Sequence, residues 1–219
     1  MSHWQAFIFD FDGVLADSVE VKTRAFAKLY EPFGEGVVAR VVDHHRQNGG
    51  MNRFDKFRFY HEKYLEQPLS DRGVEDLALS FSKIVIDEVV ASPEIPGAEN
   101  FIRKYCNEIP CFINSATPEP ELREIVKRRG LEHYFTDMKG APSSKDDNLG
   151  DILEQYQLNP RHCLFFGDAI SDYEAAIAHN VGFVGIVPNE AAPLLKEAPD
   201  INWKRTFHEV EDWLRISQL

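Results

Sequence analysis

From residue 97 onward, short apolar runs alternate with helix-like stretches, and this alternation constrains the chain more than any other feature. "AENFIRKYCNE" precedes "CFINSA", "EPELREIVKRRG" precedes "YFTDM", "KDDNLGDILEQYQ" precedes "HCLFFGD", and "SDYEAAIAHN" precedes "GFVGIV". Strands separated by helices of this length predict right-handed βαβ units and a parallel sheet covered on both faces. The N-terminal run "AFIFDF" supplies a first strand. The predicted fold class is therefore α/β, built on a Rossmann-like parallel sheet.

Residues 18–92 break the pattern, because they carry helical spacings and no comparable strand. Phe54, Phe57, His61 and Tyr64 step by three and four, as do Leu77, Phe81, Ile84 and Val85 around their helix. Gly49-Gly50 and "QPLS" punctuate these segments. The region reads as a four-helix insertion, with 1–17 and 93–219 forming the core domain and 18–92 a helical cap. Asp17-Ser18, with Glu20 as capping-box partner, is expected to open the first cap helix, and "SPEIPG" at 92–97 to form the return linker. The Phe-rich segment beside the Gly-Gly break is expected to be cap core.

Of the 219 residues, 43% are hydrophobic and 12% aromatic, enough for a sizeable core and too many for a disordered chain. The formal net charge of -12 repels nucleic acid and anionic membrane surfaces, so neither is an expected partner. A phosphate-bearing ligand then needs local positive charge or a metal. Cys106, Cys111 and Cys163 show no C-x-x-C spacing and are expected as reduced, buried thiols. The apolar run before Asp10 is too short for a signal peptide or membrane span, which makes the cytoplasm the expected location. A monomer or weak homo-oligomer is the expected assembly.

In open parallel sheets ligands gather at the carboxyl ends of the strands, where the strand order reverses. Asp10 and Asp12 end the first strand, Ser115 ends "CFIN", and Asp168 ends "CLFFG" with Asp172 four residues on. Asp10 and Asp168 brought together repel unless a hard cation lies between them, and carboxylate oxygens are the ligands Mg²⁺ prefers. With Lys145 also neutralising the site, it attracts a phosphoryl dianion despite the acidic exterior. One carboxylate can attack phosphorus, and Asp10, aimed by its strand, is the expected nucleophile. Asp12 can serve as general acid and base if it lies off the metal and keeps a raised pKa. Gly13 lets the backbone turn away just after it.

"SSKDD" reads as an N-cap at Ser144 with Asp147 at the capping-box position, which puts Lys145 in the helix's first turn. A cation there opposes the macrodipole by about 0.3–1 kcal/mol, so holding Asp10 and a phosphoryl oxygen is the more economical reason for it. Lys139 is a competitor for the role. Ser115 can donate to a phosphoryl oxygen, and Thr117 is expected to cap the next helix with Pro118 at its first position.

"DFDGVLADS" resembles the first motif of the haloacid dehalogenase superfamily, D-x-D-G-x-x-x-D-S; Ser115 in "FINSAT" matches the second, Lys145 the third and "GDAISD" the fourth. The third motif often reads K-P-x-P, and here it is "KDDN". The helical insertion is similar to the C1 cap of the branch holding phosphoglycolate phosphatases and β-phosphoglucomutases. This resemblance implies that Asp10 is nucleophile and Mg²⁺ ligand, that Asp12 is acid/base and lends its backbone carbonyl to the metal, and that Asp168 is a ligand supported by Asp172. It also places Ser115 and Ala116 beside the phosphoryl group. The dehalogenase branch lacks the acid/base aspartate that Asp12 supplies.

The expected activity is Mg²⁺-dependent hydrolysis of a small phosphorylated metabolite, a sugar phosphate or phosphoglycolate-like compound, through an aspartyl-phosphate. A sugar phosphomutase is the alternative with the same core chemistry, and a non-catalytic phospho-switch is a third reading, disfavoured by the helical insertion and the early position of Asp10. In "DHHRQNGGMNRFDKFRFY", Arg46 or Arg53 can hold a further anionic part of the substrate, or lie at a solvated helix end. The adjacent His44 and His45 cannot both face one metal from a helix.

Overall fold

A computed structural model describes residues 4–216; the expected core's ends, 1–3 and 217–219, lie outside the described residues. Strand β1 (Ala6–Phe9) is buried along its whole length, as befits a central strand of a parallel sheet covered on both sides. Its alternating side chains serve two cores. Phe7 and Phe9 pack with Phe101, Phe166 and Phe207 on one face, while Ala6 and Ile8 pack with Phe112, Leu149, Ile152 and Phe165 on the other. The Phe9 and Phe166 rings stack at 5.0 Å between centroids, locking β1 to its neighbour.

Helices α1 (Val19–Tyr30), α2 (Glu35–Gln47), α3 (Arg53–Lys63) and α4 (Asp71–Ala91) follow β1. Then come α5 (Ala98–Tyr105), β2 (Cys111–Pro118), α6 (Glu119–Arg128), β3 (Asp137–Ala141), α7 (Lys145–Gln155) and β4 (Cys163–Gly167). The chain continues through α8 (Ile170–Ala178), β5 (Gly182–Ile186), α9 (Pro193–Glu197), β6 (Trp203–Lys204) and α10 (Phe207–Ile216). All strand pairs are parallel, in the order β3-β2-β1-β4-β5-β6. This is the doubly wound order, with its switch point beside β1 and β4. The predicted fold class is thereby shown, with four helices inserted after β1.

Several local expectations are corrected. The run "YFTDM" enters the sheet only at Asp137; Glu132–Tyr134 form a 3₁₀ turn, and the strand continues through Lys139 and Gly140. An added Cβ on Gly140 would overlap the Thr117 carbonyl oxygen, so the turn-like "KGA" belongs to a strand packed closely against its neighbour. Strand β6, two residues long, is too short to leave a periodic signal. Cys106 and Cys111 form a disulfide and are not reduced thiols: the turn closing α5, with Glu108 N–H and Ile109 N–H donating to the Tyr105 carbonyl, brings their Cα atoms to 5.5 Å. Cys163 is a buried free thiol.

The α3 stripe has the expected period but a different phase. Arg53, Lys56, Phe57, Tyr60 and His61 are buried, while Phe54 and Tyr64 are only partly so. Around Phe57 the insertion has its own aromatic core, with Phe26 4.5 Å from Phe81 and 5.9 Å from Tyr60. Among the described residues, no helix is long and apolar enough to cross a membrane.

The two connections to the insertion lie side by side. Asp17 N–H donates to the Pro93 carbonyl at 2.9 Å, Ile95 N–H to the Leu15 carbonyl at 3.3 Å, and Ala16 bridges Glu94. Arg129, just beyond α6, donates to the carbonyls of Val89, Val90 and Ser92, so a cation of the core holds the carboxyl end of α4 where the macrodipole is negative. The expected Asp17-Ser18-Glu20 box is absent: Ser18 is the N-cap of α1, but its hydroxyl donates to Asp12 Oδ1 at 2.6 Å.

Candidate active site

β1 ends where the chain must turn sharply, and Gly13 makes the turn with φ of +81°. Asp10 is left at the strand end, buried, with Oδ1 accepting from Phe11 N–H at 2.6 Å and Oδ2 accepting from Lys145 Nζ at 2.7 Å. The same ammonium donates to Asp172 Oδ1, in the first turn of α8. Lys145 reaches both acids because Ser144 caps α7 as expected, accepting from Asp147 N–H, while Asn114 of β2 donates to the Lys145 carbonyl at 2.8 Å. Lys139 lies in β3, so it is Lys145 that carries its ammonium to Asp10.

Asp168 follows β4, which pairs with β1, and one carboxylate oxygen from each of Asp10, Asp168 and Asp172 lies within 4.8 Å of the others. Burial pushes the Asp168 carboxyl well above its ordinary range, and the negative Asp10 and Asp172 push it further; Lys145 only partly opposes them. Asp172 is raised to about 7, first by burial and then by Asp10, against the pull of Lys145. Burial by itself would lower the Lys145 pKa, but the three carboxylates outweigh it and keep the ammonium charged. Three acids with one ammonium remain short of positive charge. Oxygen donors so placed fit a hard divalent cation.

Glycines set how closely the acids approach. A Cβ on Gly13 would overlap Asp168 Oδ2, and one on Gly167 would overlap Asp172. Gly13→Ala combines that overlap with a left-handed backbone, and is expected to cost about 1–3 kcal/mol of stability and to displace Asp168. Thermal denaturation together with calorimetric titration of a divalent cation checks this; unchanged values in both would remove the cradle role of Gly13.

Asp12 points to a different set of groups. Its Oδ2 accepts from Lys22 Nζ of α1 and from Thr117 Oγ1 at 3.0 Å, and its Oδ1 from Ser18. Burial acts to raise its pKa, but the Lys22 ammonium and the two hydroxyls prevail and hold the carboxyl below the usual range. This corrects the expectation of a raised value. Thr117 is likewise not a helix cap: it lies within β2, Pro118 precedes α6 as its N-cap, and the Thr117 hydroxyl is committed to Asp12.

Ser115 is buried near the end of β2, its Oγ accepting from Thr117 N–H at 3.2 Å, with Ala116 between them. The insertion closes over this end of the sheet. The Gly49-Gly50 break touches the start of α8, just after Asp168, where a Cβ on Gly50 would overlap Ser171 Oγ. Of the two arginines proposed for the substrate, Arg46 is exposed and pairs with Glu20 at 3.2 Å. Arg53 is buried in a two-pronged pair with Glu121 of α6, at 2.7 and 2.5 Å, and also donates to Ser82. The geometry does not place either guanidinium among the acids.

Lys22 and Lys56 carry no such expectation from the sequence, whereas His45, read there only as one of two histidines unable to share a metal, is a buried residue of the insertion. Lys56 Nζ lies 2.9 Å from His45 Nδ1, both buried within the insertion. The available signal was positional: Lys56 stands three residues after Arg53 and one before Phe57, on the buried stripe of α3.

Sheet order and the acids at its switch point define a Rossmann-like α/β protein with a carboxylate site able to hold a metal. The chain belongs to the haloacid dehalogenase-like hydrolases, whose sequence model matches residues 4–180. It is 27% identical over 180 residues to a phosphorylated carbohydrates phosphatase of Thermotoga maritima, covering 78% of this chain and 80% of that protein. Among solved structures, a β-phosphoglucomutase from Clostridium difficile superposes with a TM-score of 0.76 at 21% identity, covering 98% of each chain. A predicted phosphatase from Clostridium acetobutylicum gives 0.76 at 16% identity, covering 99% of each. The structural likenesses show the fold.

Proposed function

We propose that this protein is a Mg²⁺-dependent phosphatase of a small phosphorylated carbohydrate or related metabolite, working through an aspartyl-phosphate at Asp10. The observation that carries the reading is the division of labour at the end of β1: Asp10 faces Lys145 and the acids Asp168 and Asp172, while Asp12, two residues on, faces Lys22 and Thr117. The phosphatase named among the relatives supports it.

Asp10, Asp168 and the Asp12 backbone carbonyl would hold the cation, with Asp172 positioned by Lys145 and the Ala169 N–H beside them. Bound there, the cation supplies the positive charge that lets a phosphoryl dianion sit among carboxylates. The Asp10 carboxylate attacks phosphorus, and the ester P–O bond breaks with its electron pair leaving on the substrate oxygen. That oxygen takes a proton from the hydrogen-bonded Lys22 and Asp12 pair. In the second step Asp12 removes a proton from water, the hydroxide oxygen bonds to phosphorus, and the Asp10–phosphorus bond breaks to return the carboxylate. Ser115 Oγ and Lys145 Nζ hold phosphoryl oxygens throughout.

A panel of phosphorylated metabolites is expected to release inorganic phosphate with Mg²⁺, to stop on EDTA treatment, and to resume when Mg²⁺ is restored. Isomerised ester in place of free phosphate would instead indicate a mutase. Asp12→Asn is expected to lower turnover about 10²- to 10⁴-fold with the fold intact by circular dichroism. Wild-type turnover in that variant would remove Asp12 from proton transfer.

A further inference from the structure

Resting on the phosphatase reading, we propose that Lys56, with His45 beside it, is the subsite for a second anionic oxygen group of the substrate, so that the ester's leaving group carries a carboxylate or another phosphate. Lys56 is 1% exposed, yet among the described residues no carboxylate pairs with it. The other buried cations differ: Lys145 has Asp10 and Asp172, and Arg53 has Glu121. Lys22, on the same side of the site, has Asp12. A buried ammonium without an anion is costly, and few folds keep one without a use.

The surroundings sharpen the deficit. Burial and the neighbouring cations Lys22, Lys145 and Arg53 lower the Lys56 pKa to about 7, with Asp12 opposing them weakly. His45 is held neutral, its pKa lowered to about 2 by burial and by Lys56. Whenever Lys56 is charged its ammonium must donate to Nδ1, which puts the ring's proton on Nε2, a buried atom with no partner. Two of the three Lys56 donors and the His45 Nε2–H are therefore unspent. All the open positions are donors, which is what an anionic oxygen group requires.

Position assigns the group to the leaving-group side. Lys22 and Phe26 are four residues apart on α1 and share a face. Lys22 holds Asp12, which handles the leaving oxygen, while the Phe26 ring lies 4.7 Å from the His45 ring and 5.6 Å from Lys56 Nζ. The Lys56 and His45 donors thus gather around Phe26, one helical turn along α1 from the lysine that holds Asp12. A phosphoryl group at Asp10 and an anion at Lys56 belong to opposite ends of one short molecule.

The test compares matched esters with the full-length protein and Mg²⁺: phosphoglycolate against ethyl phosphate, and a sugar bisphosphate against its monophosphate. Wild type is expected to prefer the member with the second anion by about 10- to 100-fold in kcat/KM, mainly through KM. Lys56→Met is expected to abolish that preference and Lys56→Arg to retain most of it. Lys56→Met should not lower the melting temperature, because it removes an unpaired buried charge; Lys56→Gln provides a second neutral variant. A preference in one pair alone identifies the anion as carboxylate or phosphate. Equal kcat/KM within both pairs, or a preference that survives Lys56→Met, overturns the subsite while leaving the phosphatase reading intact. Failure to release phosphate from any ester overturns the phosphatase reading instead. The subsite is then judged by thermal shift with the same compounds: stabilisation of wild type but not of Lys56→Met upholds it, and equal shifts sink it.

Discussion

Asp10→Asn is expected to abolish phosphate release, by about 10⁴- to 10⁶-fold, the scale on which removal of a covalent nucleophile acts. The substitution keeps the shape of the side chain. An asparagine Oδ1 can still accept from Phe11 N–H or from Lys145, both of which now hold the carboxylate. The fold should persist, because the change removes one negative charge from a cluster whose other members, Asp168 and Asp172, are pushed up in pKa partly by Asp10 itself. Single-turnover phosphate release, with intact-mass measurement to detect a phosphoryl adduct on wild type but not on the variant, checks the expectation. An active Asp10→Asn enzyme would show that phosphorus is attacked by another group, and the division of labour between Asp10 and Asp12 would fall with it.

The second large effect is on stability. Arg53→Met is expected to cost about 3–5 kcal/mol, because it strands Glu121 in the buried contact between α3 of the insertion and α6 of the sheet domain. Glu121 keeps only the Ser82 hydroxyl among its present side-chain donors. For a chain of this size that loss corresponds to a melting temperature lower by about 6–20 °C. The double variant Arg53→Met with Glu121→Gln should recover much of it, since the stranded charge and not the lost attraction is the main penalty. A drop of less than about 1 kcal/mol in the single variant, or no recovery in the double, would mean that Glu121 reaches water on its own.

The parts of the site that could be read from the sequence are those attached to strand ends. Asp10 and Asp168 follow fully apolar runs, and Lys145 sits in a helix's first turn where its charge is unfavourable, so each departs visibly from a local rule. The groups contributed by the insertion left weaker marks. Lys22 falls among other charged residues of an amphipathic helix, where a lysine ordinarily faces water. On α3 the aromatic residues suggested one phase, whereas the buried stripe runs through Arg53 and Lys56. A period survives in the sequence; the phase depends on which partners the helix meets. Ser18 and Thr117 read locally as caps, because that is what such residues usually do, and only the meeting of α1 with the end of β2 turns both hydroxyls to Asp12. The Cys106–Cys111 bridge likewise depends on a turn geometry that residue spacing does not specify.

The paired connections at Asp17 with Pro93 and Leu15 with Ile95 mean that the chain leaves and re-enters the sheet domain at one spot. Folding the sheet then closes a loop of nearly zero span whatever the intervening residues are, and loop-closure entropy grows only slowly with their number. The sheet body can thus accept insertions of different length and lining, grafted at a single joint, with the acids at the switch point left in place. Chimaeras cut at this joint are the natural way to exchange one insertion for another on the same sheet.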